Sequence, residues 1–180
     1  SNQDLAEKVS SLNNHGRRKE ESRQFWPGEI GYKYKMTNIQ AAIGSAQLSR
    51  FDALVDRKRE IFTYYLERLS EFKEIRLNPT QLNCVSGAWM PNAVFSEESG
   101  VTRERLITEF ESANIDARVF FWPLSDFDFY ATVDNPISRE IARTSINLPS
   151  YHDMTDSDQD RVISVLTKTL EESQTRRGTS

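Results

Sequence analysis

The chain has 180 residues, enough for one domain or one and a half around a single substantial core. Apolar residues make up 37% and charged residues 28%, a globular rather than a disordered balance, and the formal net charge of −4 gives no general case for nucleic-acid binding. No apolar run approaches a membrane span and no signal-peptide pattern opens the chain. The single cysteine, Cys84, excludes an internal disulfide and a cysteine-rich metal site, so a cytoplasmic α/β or α+β protein is expected.

The first residues already read as a helix. Asn2 or Asp4 can cap it, and Leu5 and Val9 lie four apart on one face. Such a start fits a chain cut out of something longer. Residues 13–36 read as irregular, with Asn13, Asn14, Gly16, Pro27, Gly28 and Gly31 as turn formers and Phe25, Trp26, Tyr32 and Tyr34 among them. A long loop with aromatics and basic residues is usually functional or buried in an interface. A long helix is expected next, capped by Thr37 with Gln40 completing a capping box. Its apolar residues, from Ile39 and Ile43 to Ile61, Tyr65 and Leu69, recur close to helical period as far as about Glu71. Its first turns are rich in small residues around Gly44, and Asp56–Glu60 reads as a solvated face. A helix of that length bridges two layers or two domains.

Asn78-Pro79 breaks the pattern, and short strands then alternate with helices. Strands are expected at 88–95, 115–122 and 145–148. Helices are expected after Thr102, over 137–143 and after Thr155, the last with Val162, Ile163, Val165, Leu166 and Leu170 as its buried stripe. Strands with helices on one face make a two-layer α/β sandwich. The polar end, 171–180, is expected to fray.

Generic signatures of chemistry are missing. There is no glycine-rich phosphate loop and no Gly-x-Ser-x-Gly elbow. His15 and His152 stand far apart without metal spacing, and each reads as a hydrogen-bonded loop residue. Cys84 reads as a small buried or half-buried residue. The acid pairs Glu97-Glu98 and Glu171-Glu172 read as solvated.

The informative segment is Gly31-Tyr32-Lys33-Tyr34-Lys35-Met36-Thr37-Asn38-Ile39-Gln40-Ala41-Ala42-Ile43-Gly44, followed by Gln47-Leu48. It resembles the DegT/DnrJ/StrS family of pyridoxal-phosphate-dependent aminotransferases, in its perosamine-synthase-like branch, whose usual form is close to GYNYRMTNIQAAIG. These enzymes act on nucleotide-linked keto sugars. Asn14-His15-Gly16 resembles the family's NHG, and Trp26-Pro27 with Gly31 its approach to the motif. Phe120-Phe121-Trp122-Pro123-Leu124-Ser125 resembles FFYPL, and Asn147-Leu148-Pro149-Ser150-Tyr151-His152 with Met154-Thr155 resembles LPSYHDLT. Four elements in the right order, spread over the whole chain, make the match specific.

The resemblance implies the C-terminal part of a fold-type-I transferase of the aspartate-aminotransferase kind. Residues 1–36 would be the end of the large domain and an interface loop, 37–72 the bridging helix, 73–170 the small two-layer α/β sandwich domain and 171–180 a frayed tail. The cofactor implied is pyridoxal 5′-phosphate, but the family's Schiff-base lysine and most phosphate contacts would lie upstream. Lys33 stands where the family's Asn reaches the cofactor phosphate of the neighbouring subunit, and Lys35 where the family has Arg. Both keep or add positive charge, and both also read as solvated loop lysines. Trp26, Tyr32 and Tyr34 are candidates to line the sugar or nucleotide pocket, or else to staple the loop. Arg118 could meet a substrate anion, although a surface salt bridge is the commoner fate. Ser125 stands where many members have a histidine, so that histidine's role does not transfer. Implied partners are a second copy or the upstream half of the enzyme, and a nucleotide-sugar substrate, with neither nucleic acid nor membrane. The competing readings are a non-catalytic fragment or association module, and the family branch that dehydrates keto sugars.

Overall fold

The computed structural model describes residues 2–23, 26–131 and 133–178; Phe25, grouped above with the loop aromatics, lies outside them. The elements in chain order are α1 (Gln3–Leu12), α2 (Asn38–Leu48), α3 (Phe51–Leu69), β1 (Ile75–Arg76), β2 (Asn92–Phe95), α4 (Arg103–Ser112), β3 (Arg118–Val119), α5 (Pro136–Thr144), β4 (Ser145–Asn147) and α6 (Asp156–Gly178). The chain divides into two compact units, Ser1–Phe51 and Asp52–Ser180.

In the first unit, local side-chain chemistry sets the helix ends. Asn2 caps α1 by accepting from the Leu5 amide at 3.2 Å. At α2 the Thr37 hydroxyl accepts from the Gln40 amide while the Gln40 side chain accepts from the Thr37 amide, the full capping box. The helix expected to run unbroken from Thr37 is interrupted at Ser49 and Arg50. The Ser49 hydroxyl donates to the Ala46 carbonyl at 2.9 Å, and the Arg50 amide bonds the carbonyl three residues back, Gln47, at 3.0 Å. That tightened turn ends α2 before α3 begins.

In the second unit four strands form an antiparallel sheet of order β1-β2-β4-β3. Register pairs Ile75 with Phe95, Ala93 with Ile146, and Asn147 with both Asn92 and Arg118. Alternation then gives the sheet two characters. Ala93, Phe95 and Ile146 join Ile61, Tyr65 and Leu69 of α3, Leu106 and Phe110 of α4, and Val162, Leu166 and Leu170 of α6 in one core. Asn92 and Asn147 belong to a polar chain. Asn78 donates to Asn92, Asn92 to Asn147, and Asn147 to the Val119 carbonyl at 2.9 Å. The fold is α/β, with helices packed on an antiparallel sheet.

The strands are shorter than their sequence patterns. Ala88 holds a left-handed φ of 47° and Pro91 precedes β2, so pairing starts only at Asn92. The last helix is longer than expected: α6 runs through the segment expected to fray as far as Gly178. Its end is held by Gln174 on Glu74 at 3.1 Å and by Arg177 on the Glu98 carbonyl. Cys84, expected to be at least half-buried, is exposed in the loop between β1 and β2.

Candidate functional site

The family-like motifs of the first unit are fastened to each other through backbone. The Tyr32 amide donates to the Leu12 carbonyl at 2.6 Å, the His15 amide to Tyr32 at 3.0 Å, and the Tyr34 and Lys35 amides both to Asn13 at 3.1 and 3.0 Å. Residue Lys33 pairs with Asn14 in an isolated antiparallel bridge. The crossing is tight enough to require glycine on both sides. A Cβ on Gly31 would stand 2.0 Å from the Gly16 nitrogen, and one on Gly16, whose φ is +69°, would stand 1.9 Å from the Glu29 carbonyl oxygen. Glu29 in turn accepts from Ser11 at 2.7 Å and from Lys8. The Lys8 bond, then Ser11, holds its carboxyl below the usual range. So the Asn14-His15-Gly16 and Gly31-to-Lys35 segments form one rigid crossing.

That crossing presents Lys33 and Lys35 to solvent, and neither ammonium makes a hydrogen bond or ion pair among the described residues. Tyr32 and Tyr34 flank Lys33 and stack on each other, 5.4 Å between centroids and 15° between planes. Both stay exposed, at 55% and 77%. Trp26 lies under the Arg23 guanidinium, 4.2 Å from its centroid, beside an open cleft of about 400 Å³ also lined by Asn14, Arg18 and Lys19. Arg23 is also held by Glu21 through two bonds of 2.8 and 2.6 Å. Arg118 belongs to the second unit and pairs with Asp116 at 2.9 Å, both side chains about three-quarters exposed. The structure thus joins Tyr32, Lys33, Tyr34 and Lys35 on one segment and sets Trp26 in a neighbouring cleft of the same unit.

The second unit holds its motif segment, residues 147–155, by contacts that the sequence reading missed. Arg57 donates to the carbonyls of His152 and Met154, Lys58 to Ser150, and Tyr65 to the Pro149 carbonyl at 3.0 Å. Arg57 and Lys58 therefore depart from the solvated face expected of Asp56–Glu60. Burial lowers the pKa of Lys58 and pushes the Tyr65 phenol far up. The signal was available: Lys58, Ile61 and Tyr65 are spaced three and four apart, one helical face. The segment ends in a cap in which Asp158 accepts from the Thr155 hydroxyl at 2.7 Å, the Thr155 amide at 3.0 Å and the Tyr151 hydroxyl at 3.1 Å. The Thr155 bonds hold the Asp158 carboxyl below its usual range. Among the described residues no group of acids, histidines or cysteines is placed to hold a metal, and no helix is long and apolar enough to cross a membrane.

Comparison with known proteins gives these motifs their context. GDP-perosamine synthase of Caulobacter vibrioides is 32% identical over 171 residues, which are 93% of this chain and 46% of that protein. The UDP-4-amino-4,6-dideoxy-N-acetyl-beta-L-altrosamine transaminase of Campylobacter jejuni is 25% identical over 181 residues, covering 93% of this chain and 46% of that one. Among solved structures, the sugar aminotransferase fold of Spr1654 from Streptococcus pneumoniae, in its PMP form, superposes with a TM-score of 0.81 at 21% identity. That match covers 99% of this chain and 46% of the other. The chain thus spans about half the length of the curated relatives it matches. The model of the DegT/DnrJ/EryC1/StrS aminotransferase family matches residues 1–167, and the chain belongs to that family.

Proposed function

We propose that this chain is the C-terminal portion of a pyridoxal-phosphate-dependent aminotransferase that transfers an amino group to a nucleotide-linked keto sugar. The lysine that carries the cofactor lies outside these residues. The observation that carries the reading is the backbone crossing of the two family motifs, which puts Lys33 and Lys35 on a solvent-facing segment with no side-chain partner for either ammonium among the described residues. Two unpaired ammonium groups suit a phosphate dianion as point charges, although they do not by themselves enclose it. When bound, the cofactor supplies the electron sink. This chain's part is to hold the phosphate through Lys33, with Lys35 beside it, while Tyr32, Tyr34 and Trp26 offer rings to the nucleotide sugar. The half-length match supports placing the remaining cofactor contacts in another stretch of polypeptide.

The same reading makes the assembly a dimer. Helix α2 buries none of its residues and leaves Ile39, Ile43 and Leu48 at 73%, 60% and 72% exposure around the small residues near Gly44. A face this apolar is covered in the assembled enzyme, by a second copy or by the rest of the polypeptide. The test is titration of the chain with pyridoxal phosphate, followed by visible absorbance and borohydride trapping. No reducible adduct is expected on the chain alone, and one is expected on the added polypeptide when the other half is supplied. A stable adduct at a lysine of this chain would overturn the assignment.

A further inference from the structure

The chain carries a net charge of −4, yet one short stretch of the first unit runs against it. The cleft of about 400 Å³ beside Trp26 is walled by Arg17, Arg18, Lys19 and Arg23, with Glu21 as the one carboxylate among the described residues that line it. Glu21 is taken up by Arg23. It accepts from the guanidinium at 2.8 and 2.6 Å and from the Arg23 amide at 3.0 Å, and these bonds hold its carboxyl below the usual range. Lys19 makes no hydrogen bond or ion pair among the described residues. Arg18 makes a long bond, from Nη2 to the Gly28 carbonyl at 3.4 Å. Its side chain lies so close over Gly28 that a Cβ there would stand 2.6 Å from Nε, and a side chain at that position would push the guanidinium aside.

The cleft also offers a ring. Arg23 lies over Trp26, 4.2 Å from its centroid, and the tryptophan remains 52% exposed. Cations beside an open ring suit a ligand that is anionic at one end and aromatic at the other: phosphate oxygens meet the charges and a base stacks on the ring. The volume falls at the small end of ligand clefts, which run to roughly 300–1,000 Å³. A single cleft of this size on an acidic chain fits a nucleoside diphosphate rather than a polynucleotide. Its position fits the same ligand. Asn14 lines the cleft and is also the residue that pairs with Lys33 in the backbone bridge. The cleft therefore borders the segment whose lysines are assigned to the cofactor phosphate. In a nucleotide-linked keto sugar the diphosphate sits across the sugar ring from the carbon that reacts. We infer that this cleft binds the diphosphate of the nucleotide-linked substrate, with Arg18 and Lys19 on the phosphates and Trp26 against the base. This inference rests on the aminotransferase reading above. It adds the residues by which a nucleotide sugar is told from a free one.

The probes are inorganic pyrophosphate, uridine diphosphate and uridine, titrated calorimetrically into the full chain. The two phosphorylated probes are expected to bind, and uridine to bind roughly a hundredfold more weakly than its diphosphate. Arg18→Gln and Lys19→Gln should each weaken both phosphorylated probes about tenfold. Trp26→Leu should weaken uridine diphosphate about tenfold and leave pyrophosphate within about twofold, a split that general disturbance of the loop does not produce. Lys33→Gln should leave the pyrophosphate affinity within about twofold, since Lys33 serves the other phosphate. In the assembled enzyme, Arg18→Gln should raise KM for a nucleotide-linked keto sugar about tenfold with kcat within about twofold, because binding that is the same in ground and transition states is lost. Far-UV circular dichroism controls for the fold, and should Arg18→Gln not fold, Lys19→Gln decides. Pyrophosphate affinity that is unchanged in the folded variants, or lost in Lys33→Gln instead, overturns the inference and leaves the aminotransferase reading standing. So does failure of pyrophosphate and uridine diphosphate to bind either the chain or the assembled enzyme. Absence of any transamination by the unaltered assembled enzyme removes that reading, and the substrate assigned to this cleft with it.

Discussion

The two units hold their motifs by opposite means. In Ser1–Phe51 only Ser11 and Gly16 are buried among the described residues, and large apolar side chains such as Ile30, Ile39 and Leu48 stand in solvent. What shape this unit has comes from backbone hydrogen bonds across the Gly16–Gly31 crossing and from capped helices. In Asp52–Ser180 a core from three helices and the sheet carries the structure, and polar contacts from α3 are added on top of it. A unit without a core can place a few backbone groups accurately, but it cannot supply much stability. A unit with a core can do both. The first unit reads as a surface awaiting a partner, the second as a body that folds around itself.

Core truncation should separate the units most widely. Phe110 is 1% exposed at the centre of the second unit, and Phe110→Ala should cost about 3–5 kcal/mol in denaturant titration. Ile43→Ala in the first unit, where the side chain is 60% exposed, should change the same midpoint by no more than about 0.5 kcal/mol. A large loss at Ile43 would show that its face is already covered. Next in size is Gly31→Ala. Its Cβ would meet the Gly16 backbone, so the crossing must open. Amide exchange of His15 and Tyr32 should speed up by at least an order of magnitude while the second unit's amides stay protected. Smaller again is Tyr65→Phe, which leaves the Pro149 carbonyl without its donor and should cost about 1 kcal/mol. Thr155→Ala, removing the cap of α6, should cost about the same.

How much of this was legible in the sequence follows the range of each interaction. Asn2, Thr37 with Gln40, Thr102 and Thr155 were all readable as caps, because a cap and its amide are three residues apart. The stripe Val162, Leu166, Leu170 was readable for the same reason. The break at Ser49–Arg50 was not, because serine within a helical period carries no mandatory stop and the hydroxyl chose the Ala46 carbonyl. The roles of Arg57 and Lys58 were missed because their partners, the carbonyls of residues 150–154, lie more than 90 residues away. The continuation of α6 through 171–178 was missed for a like reason: a polar end looked free until Glu74 and Glu98 were found beside it. For the candidate site, motif order revealed Lys33 and Lys35 but not the crossing that joins their segment to Asn14-His15-Gly16, since that juxtaposition depends on two glycines meeting backbone to backbone.

The smallest expected effect distinguishes the two units by salt. Glu29 in the first unit and Asp158 in the second both have carboxyls held below their ordinary values, so each contributes stability that is present above the unfolded carboxylate pKa of about 4 and is lost as pH falls through the lower folded value. Below about pH 4 both contributions should fade together, and pH alone cannot tell them apart. Their partners can. Glu29 owes its shift first to the Lys8 ammonium, an exposed ion pair that salt screens. Asp158 owes its shift to the neutral Thr155 hydroxyl and amide, which salt leaves largely intact. Raising sodium chloride from 0.05 to about 0.5 M shortens the screening length to a few ångströms. That should raise the Glu29 pKa toward its ordinary value, followed by carboxyl NMR titration through the acid range, and move that of Asp158 much less. Equal movement of the two would mean that the Lys8 contact is not formed in solution, and the crossing would then depend on its backbone bonds alone.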